Sequence, residues 1–470
     1  MQSSQSLSSE SNSDRTTGHK RLIQCVTWIL RALVGGVFIF SGFVKAIDPW
    51  GTLYKVEEYL SVMGIGLWHS IVIAGVFMLC AFEFTIGVFL ALGCYRRSTP
   101  WLAFITMCFM LPLTLWIAVS NPVADCGCFG DAVLISNWGT FWKNVALMVG
   151  VIWLIKFNMR CPCIIAPALQ WVAFLCTMLF LGSIEMTGYL QQPLLDFRPY
   201  KTGLALIPEG HDEDEERFIF IYEKDGVRKE FTETDTLPSE DEGWKFVERR
   251  DIIPVRDNGD KVEDSGSDRT IRLWDKSGAE DLTEEAVPEE GDMLLLMMPD
   301  LAEVTPAMTW KLNSLYDWSR DHDAEMSAVV AGTPQEVSEW EDIAIPEYEV
   351  YTSDDTSIKE VARGNPAVVF LRNGKVVWKR TLSSVDVDDF MAPDIDPDPM
   401  NYAPDGIHNL YRRIWLYAVV LILLAVVSQM PKLLSKVEQK GKDIVSKGRQ
   451  LVGKTQKDKI IRDDKAHREE

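Results

Sequence analysis

The chain has 470 residues, 47% hydrophobic and 24% charged, with a formal net charge of −21. Residues 1–190 carry 11 Lys/Arg against 9 Asp/Glu, residues 191–410 carry 22 against 52, and residues 411–470 carry 14 against 7, while all nine cysteines lie at or before Cys176. The acidic middle, net −30, excludes a nucleic-acid surface, which needs clustered Lys and Arg, and its lack of cysteine excludes a disulfide scaffold.

In chain order, residues 1–20 form a Ser-rich tail with no apolar periodicity and are expected to be disordered. A transmembrane helix needs about 20 predominantly apolar residues. Five such stretches follow, at Leu22–Phe43, Ile71–Leu92, Trp101–Ser120, Phe141–Ile155 and Ile164–Leu190, and a sixth lies at Ile414–Met430. Trp50, Trp68, Tyr95, Trp101, Trp138, Tyr189 and Trp415 sit near their ends, as an interfacial aromatic belt requires. The first stretch is too long for a signal-peptide core and precedes no small-residue cleavage site, so it is expected to be a retained anchor. Lys20-Arg21, Arg96-Arg97, Lys156 with Arg160, and 12 Lys/Arg after Met430 flank alternate ends of the spans. The positive-inside rule then puts both termini in the cytoplasm of a bacterial inner membrane. The loop 121–137 and the acidic domain face the periplasm in that arrangement; Arg412 and Arg413 run against it.

The loop between the third and fourth spans reads Asp125-Cys126-Gly127-Cys128-Phe129-Gly130. Two thiols two residues apart, with a glycine between them, suit a small strained disulfide ring that exchanges readily. A static disulfide, or two thiols bonded elsewhere, fits the same spacing. Cys161-Pro162-Cys163 is the second close pair, on the reducing side, and is read as two free thiols. Cys25, Cys80, Cys94, Cys108 and Cys176 lie in or beside apolar helices, where cysteine packs as a small hydrophobe.

Three motifs together resemble a known family. Ser41-Gly-Phe-Val-Lys45-Ala-Ile-Asp48-Pro49 is similar to its SGxxKxxDP signature, Glu83–Gly87 to its second-helix pattern, and Asp125–Gly130 to its cysteine motif. The family is that of the DoxX/MauE-like membrane proteins, and the resemblance covers residues 22–157. It implies a four-helix membrane bundle acting in envelope redox chemistry or in maturation of a partner's disulfides. Lys45 and His69 are then the candidate cations for stabilising a thiolate at Cys126 or Cys128.

Charges inside spans are costly and call for partners. Arg31 lies midway along the first span and Glu83 midway along the second, so antiparallel neighbours are expected to pair Arg31 with Glu83. That pair would hold the bundle together or mark a proton or quinone site. None of the six histidines lies centrally in a span, and HExxH, GxxxxGK[ST] and GxSxG are absent. No metal site or cofactor is identified; a quinone is compatible with a membrane setting, but no motif supports one.

Residues 191–290 read as an acidic β-rich module or linker. From 291 to 390, the apolar run Met293–Met298 suits a buried strand, and Met308, Leu312, Leu315 and Trp318 share one helical face. Ala328–Ala331 is a second strand, and Asn373-Gly374 between apolar runs signals a hairpin. This βαβα order followed by Asn365-Pro366 and a hairpin resembles thioredoxin, with Pro366 in the place of its cis-proline. Pro299-Asp-Leu-Ala-Glu303 stands where that family has CxxC, so this domain cannot exchange thiols.

The expected organisation is therefore a disordered tail (1–20), a four-helix bundle (21–160), a fifth span (161–190), the acidic module (191–290), a thioredoxin-like domain (291–390), a linker (391–411), a sixth span (412–430) and a basic amphipathic tail (431–470). The fold class is an α-helical membrane bundle joined to a thioredoxin-like α/β domain. The expected partners are the lipid bilayer, a periplasmic protein client and anionic lipid headgroups at the tail. Two functions compete: a thiol–disulfide redox or maturation factor using Cys126 and Cys128, and a non-catalytic scaffold in which those residues form only a structural disulfide.

Overall fold

The structure is a computed structural model and describes residues 2–120, 127–133, 135–207, 218–224, 227–232, 245–251, 271–388 and 406–466. Cys126, the acidic run 212–216 and most of the 391–411 linker lie outside the described residues. The chain divides into a helical unit, Met1–Gly188 with Gly406–Glu470, and a second unit, Tyr189–Asp405.

The helical unit contains α1 (Gln2–Ile47), α2 (Pro49–Val62), α3 (His69–Leu92), α4 (Ser98–Ser120), α5 (Asn137–Phe157), α6 (Gln170–Leu190) and a C-terminal helix (Gly406–Ala466). Among the described residues six helices are long and apolar enough to cross a membrane, from Gly18–Ile47 through Gly406–Pro431. They coincide with the six expected stretches. The expected disordered tail instead continues α1 back to Gln2, since propagation from an existing helix avoids the cost of nucleation. Helix α2 had no counterpart among the expected elements. Asp48 caps it by accepting from the Gly51 amide, and Pro49 occupies its first turn.

The bundle core is built from four helices: Val34 and Phe38 of α1, Ile86 and Leu90 of α3, Ala103 and Met107 of α4, and Val151 and Leu154 of α5. Helices α1 and α3 touch backbone to backbone. A Cβ at Gly42 would lie 2.5 Å from the Phe84 nitrogen, and one at Gly87 would lie 2.5 Å from the Ile39 nitrogen. Gly35 meets Gly87 and Ala91 in the same way. Small residues let membrane helices approach until van der Waals contact alone holds them. These three glycines therefore fix the antiparallel register of α1 on α3.

The C-terminal helix is held to α6 and to the residues just before it by clips along its length. The Tyr417 ring stacks on Phe180 at 4.2 Å, and its hydroxyl lies 2.8 Å from Thr177 Oγ1. Arg413 donates to the Ser183 carbonyl and to Thr187, and Gln429 donates to the Ile164 carbonyl.

The second unit contains two sheets. Strands β1 (Phe218–Lys224), β2 (Val227–Thr232) and β3 (Lys245–Asp251) form an antiparallel sheet in the order β2-β1-β3. Strands β4 (Asp292–Met298), β5 (Glu325–Val330), β6 (Glu349–Thr352), β7 (Ala367–Arg372) and β8 (Lys375–Thr381) form a mixed sheet in the order β6-β5-β4-β7-β8. In it β4, β5 and β6 run parallel, while β7 pairs antiparallel with both β4 and β8. Besides a four-residue turn of helix, α7 (Thr283–Ala286), three helices connect the strands: α8 (Pro306–Asp321), α9 (Pro334–Ala344) and α10 (Asp355–Val361).

Both faces of β4 are buried, as its unbroken apolar run foretells. Leu294, Leu296 and Met298 pack with Leu312 and Leu315 of α8 and Val337 and Trp340 of α9. Met293, Leu295 and Met297 pack on the other face with Ile358 and Val361 of α10. Asn373 and Gly374 both adopt positive φ, 51° and 68°, and close the expected hairpin; the Asn365–Pro366 bond is cis.

Neither edge of the larger sheet is left open. The Trp274 backbone exchanges two 2.9 Å hydrogen bonds with Thr352 on β6. Along β8, the Gly203 amide donates to the Val376 carbonyl, the Val376 amide to Leu204, and the Thr381 amide to Gln191. Covering exposed edges prevents pairing with other chains. The segment after α6 is anchored beneath the sheet by Asp196, which Arg198 binds at 2.7 and 3.0 Å and Lys379 at 2.5 Å. The remaining Lys379 protons go to the Tyr200 and Val361 carbonyls, so all three are satisfied. Burial alone would raise the Asp196 carboxyl, but the Arg198 guanidinium and the Lys379 ammonium outweigh it and hold it well below the usual carboxylate range.

The glycine contacts predict a sharp positional contrast. Gly42→Val must push α3 away and should cost about 1–3 kcal/mol or more, the usual penalty of overpacking. Gly36→Ala, whose Cβ meets nothing within 4 Å, should leave stability undiminished or slightly raised, since Ala favours the helix. Thermal unfolding in detergent separates the two, and equal melting temperatures would contradict the register.

Candidate functional site

The register set by Gly35, Gly42 and Gly87 brings the last turn of α1 alongside the middle of α3. Lys45 Nζ lies 2.8 Å and 3.1 Å from the two Glu83 carboxylate oxygens, with both side chains buried. Ser41, one turn earlier on α1, places its hydroxyl 2.9 Å from Glu83 Oε2 and 2.8 Å from the Cys128 carbonyl. A hydroxyl has one proton, so an ionised Glu83 and the Cys128 carbonyl compete for the same donor. Ser41 thereby couples the ion pair to the backbone of the cysteine loop.

The loop is pinned from a second side. Gly127 has φ +59°, and a Cβ there would lie 3.2 Å from the Lys55 side chain of α2. The aliphatic stem of Lys55 thus lies directly against the residue between the two cysteines. Phe129 packs edge-on against Phe40 of α1 at 5.2 Å, and its ring carries the Lys143 ammonium of α5 at 3.9 Å. Ser41, Lys45, Glu83, Cys128, Lys143 and Asn144 contribute to the lining of a cavity of about 40 Å³. That volume admits a water molecule with several polar partners. The Cys128 thiol lies within electrostatic reach of the Lys45 ammonium.

Of the residues singled out in the sequence, Lys45, Glu83 and Cys128 come together here, while Cys126 lies outside the described residues. His69 does not line the cavity; its Nδ1 lies 2.7 Å from Glu57 of α2. The expected Arg31–Glu83 pair does not form. Equating span midpoints placed the two residues at one depth, but α1 runs on to Ile47 and the glycine contacts offset the helices. Arg31 therefore faces Gly93, beyond the end of α3. Its guanidinium, fully buried, donates to Asn158 Oδ1 at 2.5 Å and to the Asn158 and Pro162 carbonyls at 2.9 Å.

Cys161 and Cys163 are free thiols, as expected of that pair, and no disulfide is formed among the described residues. No group of three or more His, Cys, Asp or Glu residues able to hold a metal occurs among them. Three contributors were missed in the sequence. Ser41 was visible inside the SGxxK motif, Lys143 as a cation inside an apolar helix, and Lys55 only through the unrecognised α2.

This arrangement leads to a double-mutant test of the ion pair. Lys45→Met leaves Glu83 buried without its cation and should cost about 3–5 kcal/mol. Lys45→Met combined with Glu83→Gln should recover most of that loss. Additive losses in thermal unfolding would show that the two residues do not stabilise each other.

Comparison with known proteins agrees with this geometry. Residues 23–157 match the family model described as methylamine utilisation protein MauE. Residues 217–256, which include all three strands of the smaller sheet, match a domain of unknown function, DUF8463. No curated protein and no solved structure matches the chain. The MauE match covers α2 to α5, the apolar part of α1 and the whole cysteine loop, so this segment is MauE-like and, with six helices apolar enough to cross a membrane among the described residues, belongs to a multi-pass membrane protein.

Proposed function

We propose that the protein is a membrane thiol–disulfide factor that exchanges disulfides with envelope proteins through Cys126 and Cys128. The observation that carries this reading is that Cys128 and Lys45 line the same small cavity, in a loop held by Ser41 and overlaid by Lys55. A nearby ammonium favours a thiolate. Cys128 is accordingly the sulfur that leaves. A client thiolate attacks Cys126 of the oxidised pair, a mixed disulfide forms, and the Cys126–Cys128 bond breaks to give the Cys128 thiolate beside Lys45. A second client thiolate then displaces Cys126. The client ends as a disulfide, and the two cysteines end as thiols that carry its electrons and protons.

In this reading the cysteine loop and the acidic unit face the periplasm of a bacterial inner membrane, with both termini cytoplasmic. The distribution of Lys and Arg between loops supports that orientation. The basic tail meets anionic headgroups. The second unit binds clients without chemistry of its own. What supports a thioredoxin-like reading of its larger sheet is the order β5-β4-β7-β8 with β5 parallel and β7 antiparallel to β4, β6 then being an added edge.

A scaffold reading rests on one observation, that the second unit has no cysteine and so cannot exchange thiols. Trapping decides between the two. In Cys128→Ser the internal disulfide cannot form. A mixed disulfide made in the reverse direction, when the Cys126 thiolate attacks an oxidised client, then cannot be resolved by Cys128. Reductant-sensitive adducts of Cys126 with envelope proteins should accumulate in intact membranes. These should vanish when Cys126 is also replaced. No adduct, together with a wild-type pair that is never found reduced, would leave the scaffold.

A further inference from the structure

Glu185 lies on the bundle-facing stripe of α6. Leu181, Ile184, Glu185 and Gly188 are all buried and recur at helical spacing, so a carboxyl is the one ionisable group on a buried stripe whose other polar members, Gln170 and Thr177, are neutral. Glu185 is only 3% exposed, and its Oε1 has no hydrogen-bond partner among the described residues.

The neighbouring cations are committed elsewhere. Lys45 is bonded to Glu83. Arg413 of the C-terminal helix binds α6 through Ser183 and Thr187, on the side of the helix away from Glu185. Arg31 is held by carbonyl oxygens. On α3 the titratable group facing Glu185 is the fully buried Cys80 thiol, which also feels Lys45 and Glu83. An ionised carboxylate with an unsatisfied oxygen in a membrane interior is far costlier than the neutral acid. Among the described residues no cation is paired with it, and the counter-ion that fits is a proton.

Access is short. Glu185 is five residues from the end of its span at Leu190, or about 7–8 Å along a helix rising 1.5 Å per residue. The last turn of α6 packs Gly188 against the Ile47 carbonyl, at the junction between α1 and α2.

We propose that Glu185 is a proton-binding site within the membrane bundle, resting as the carboxylic acid and exchanging its proton with the nearby aqueous face. The site lies beyond the segment similar to MauE and does not rest on the thiol–disulfide reading.

Infrared spectroscopy of the full-length protein in liposomes at neutral pH tests it. The wild type should show a carboxylic C=O band that shifts on transfer to D2O and is lost in Glu185→Gln; absence of a shifting band overturns the proposal. Should Glu185→Gln fail to fold, labelling of the wild type with dicyclohexylcarbodiimide, an apolar reagent for protonated carboxyls, decides. An adduct on Glu185 sustains the proposal, and an unmodified Glu185 overturns it.

Discussion

Close approach of α1 and α3 is the constraint on which the rest of the helical unit depends. Gly35, Gly42 and Gly87 bring the two backbones into contact at three places, and an antiparallel pair so fixed has one register. From that register follow the Lys45–Glu83 ion pair, the solitary Arg31 among carbonyls and the position of Ser41 under the Cys128 carbonyl. A one-turn slip would strand two opposite charges in a membrane interior, each at a cost of several kcal/mol. Backbone packing and charge pairing therefore select the same arrangement, which is the kind of agreement between levels that gives one native state.

The second unit solves a different problem. Its larger sheet has two buried faces and two edges, and each edge is occupied by a segment from elsewhere in the same unit: residues around Trp274 along β6, and residues 191–206 along β8. Asp196 fastens the latter by ion pairs with Arg198 and with Lys379, whose three protons all meet oxygens. A strongly acidic, cysteine-free unit with covered edges resists adventitious strand pairing and disulfide scrambling.

Much of this was legible in the sequence for identifiable reasons. The six spans are long apolar runs, a signal that survives any tertiary arrangement. Strand β4 and the Asn373-Gly374 hairpin follow from an unbroken apolar run and from a dipeptide that tolerates positive φ. The SGxxK, second-helix and cysteine motifs pointed to Lys45, Glu83 and Cys128 respectively. What the sequence hid was the pairing of Glu83. Span midpoints are a poor guide to depth when helices are offset, and the offset is set by glycines whose contacts appear only in three dimensions. Helix α2 was hidden because its polar face breaks the apolar pattern, although Asp48-Pro49 is a helix-start signal that could have revealed it. Glu185 went unremarked because the span containing it still reads as apolar.

The central claim is that the Lys45 ammonium serves the thiol of Cys128. The rate of Cys128 alkylation by a small membrane-permeant reagent, read by mass spectrometry of the loop peptide in folded protein, tests it most directly. Replacing Lys45 with Met should slow that rate by about tenfold, while Lys45→Arg, which keeps the charge, should largely preserve it. A rate in Lys45→Met equal to or above that of the wild type would contradict the account.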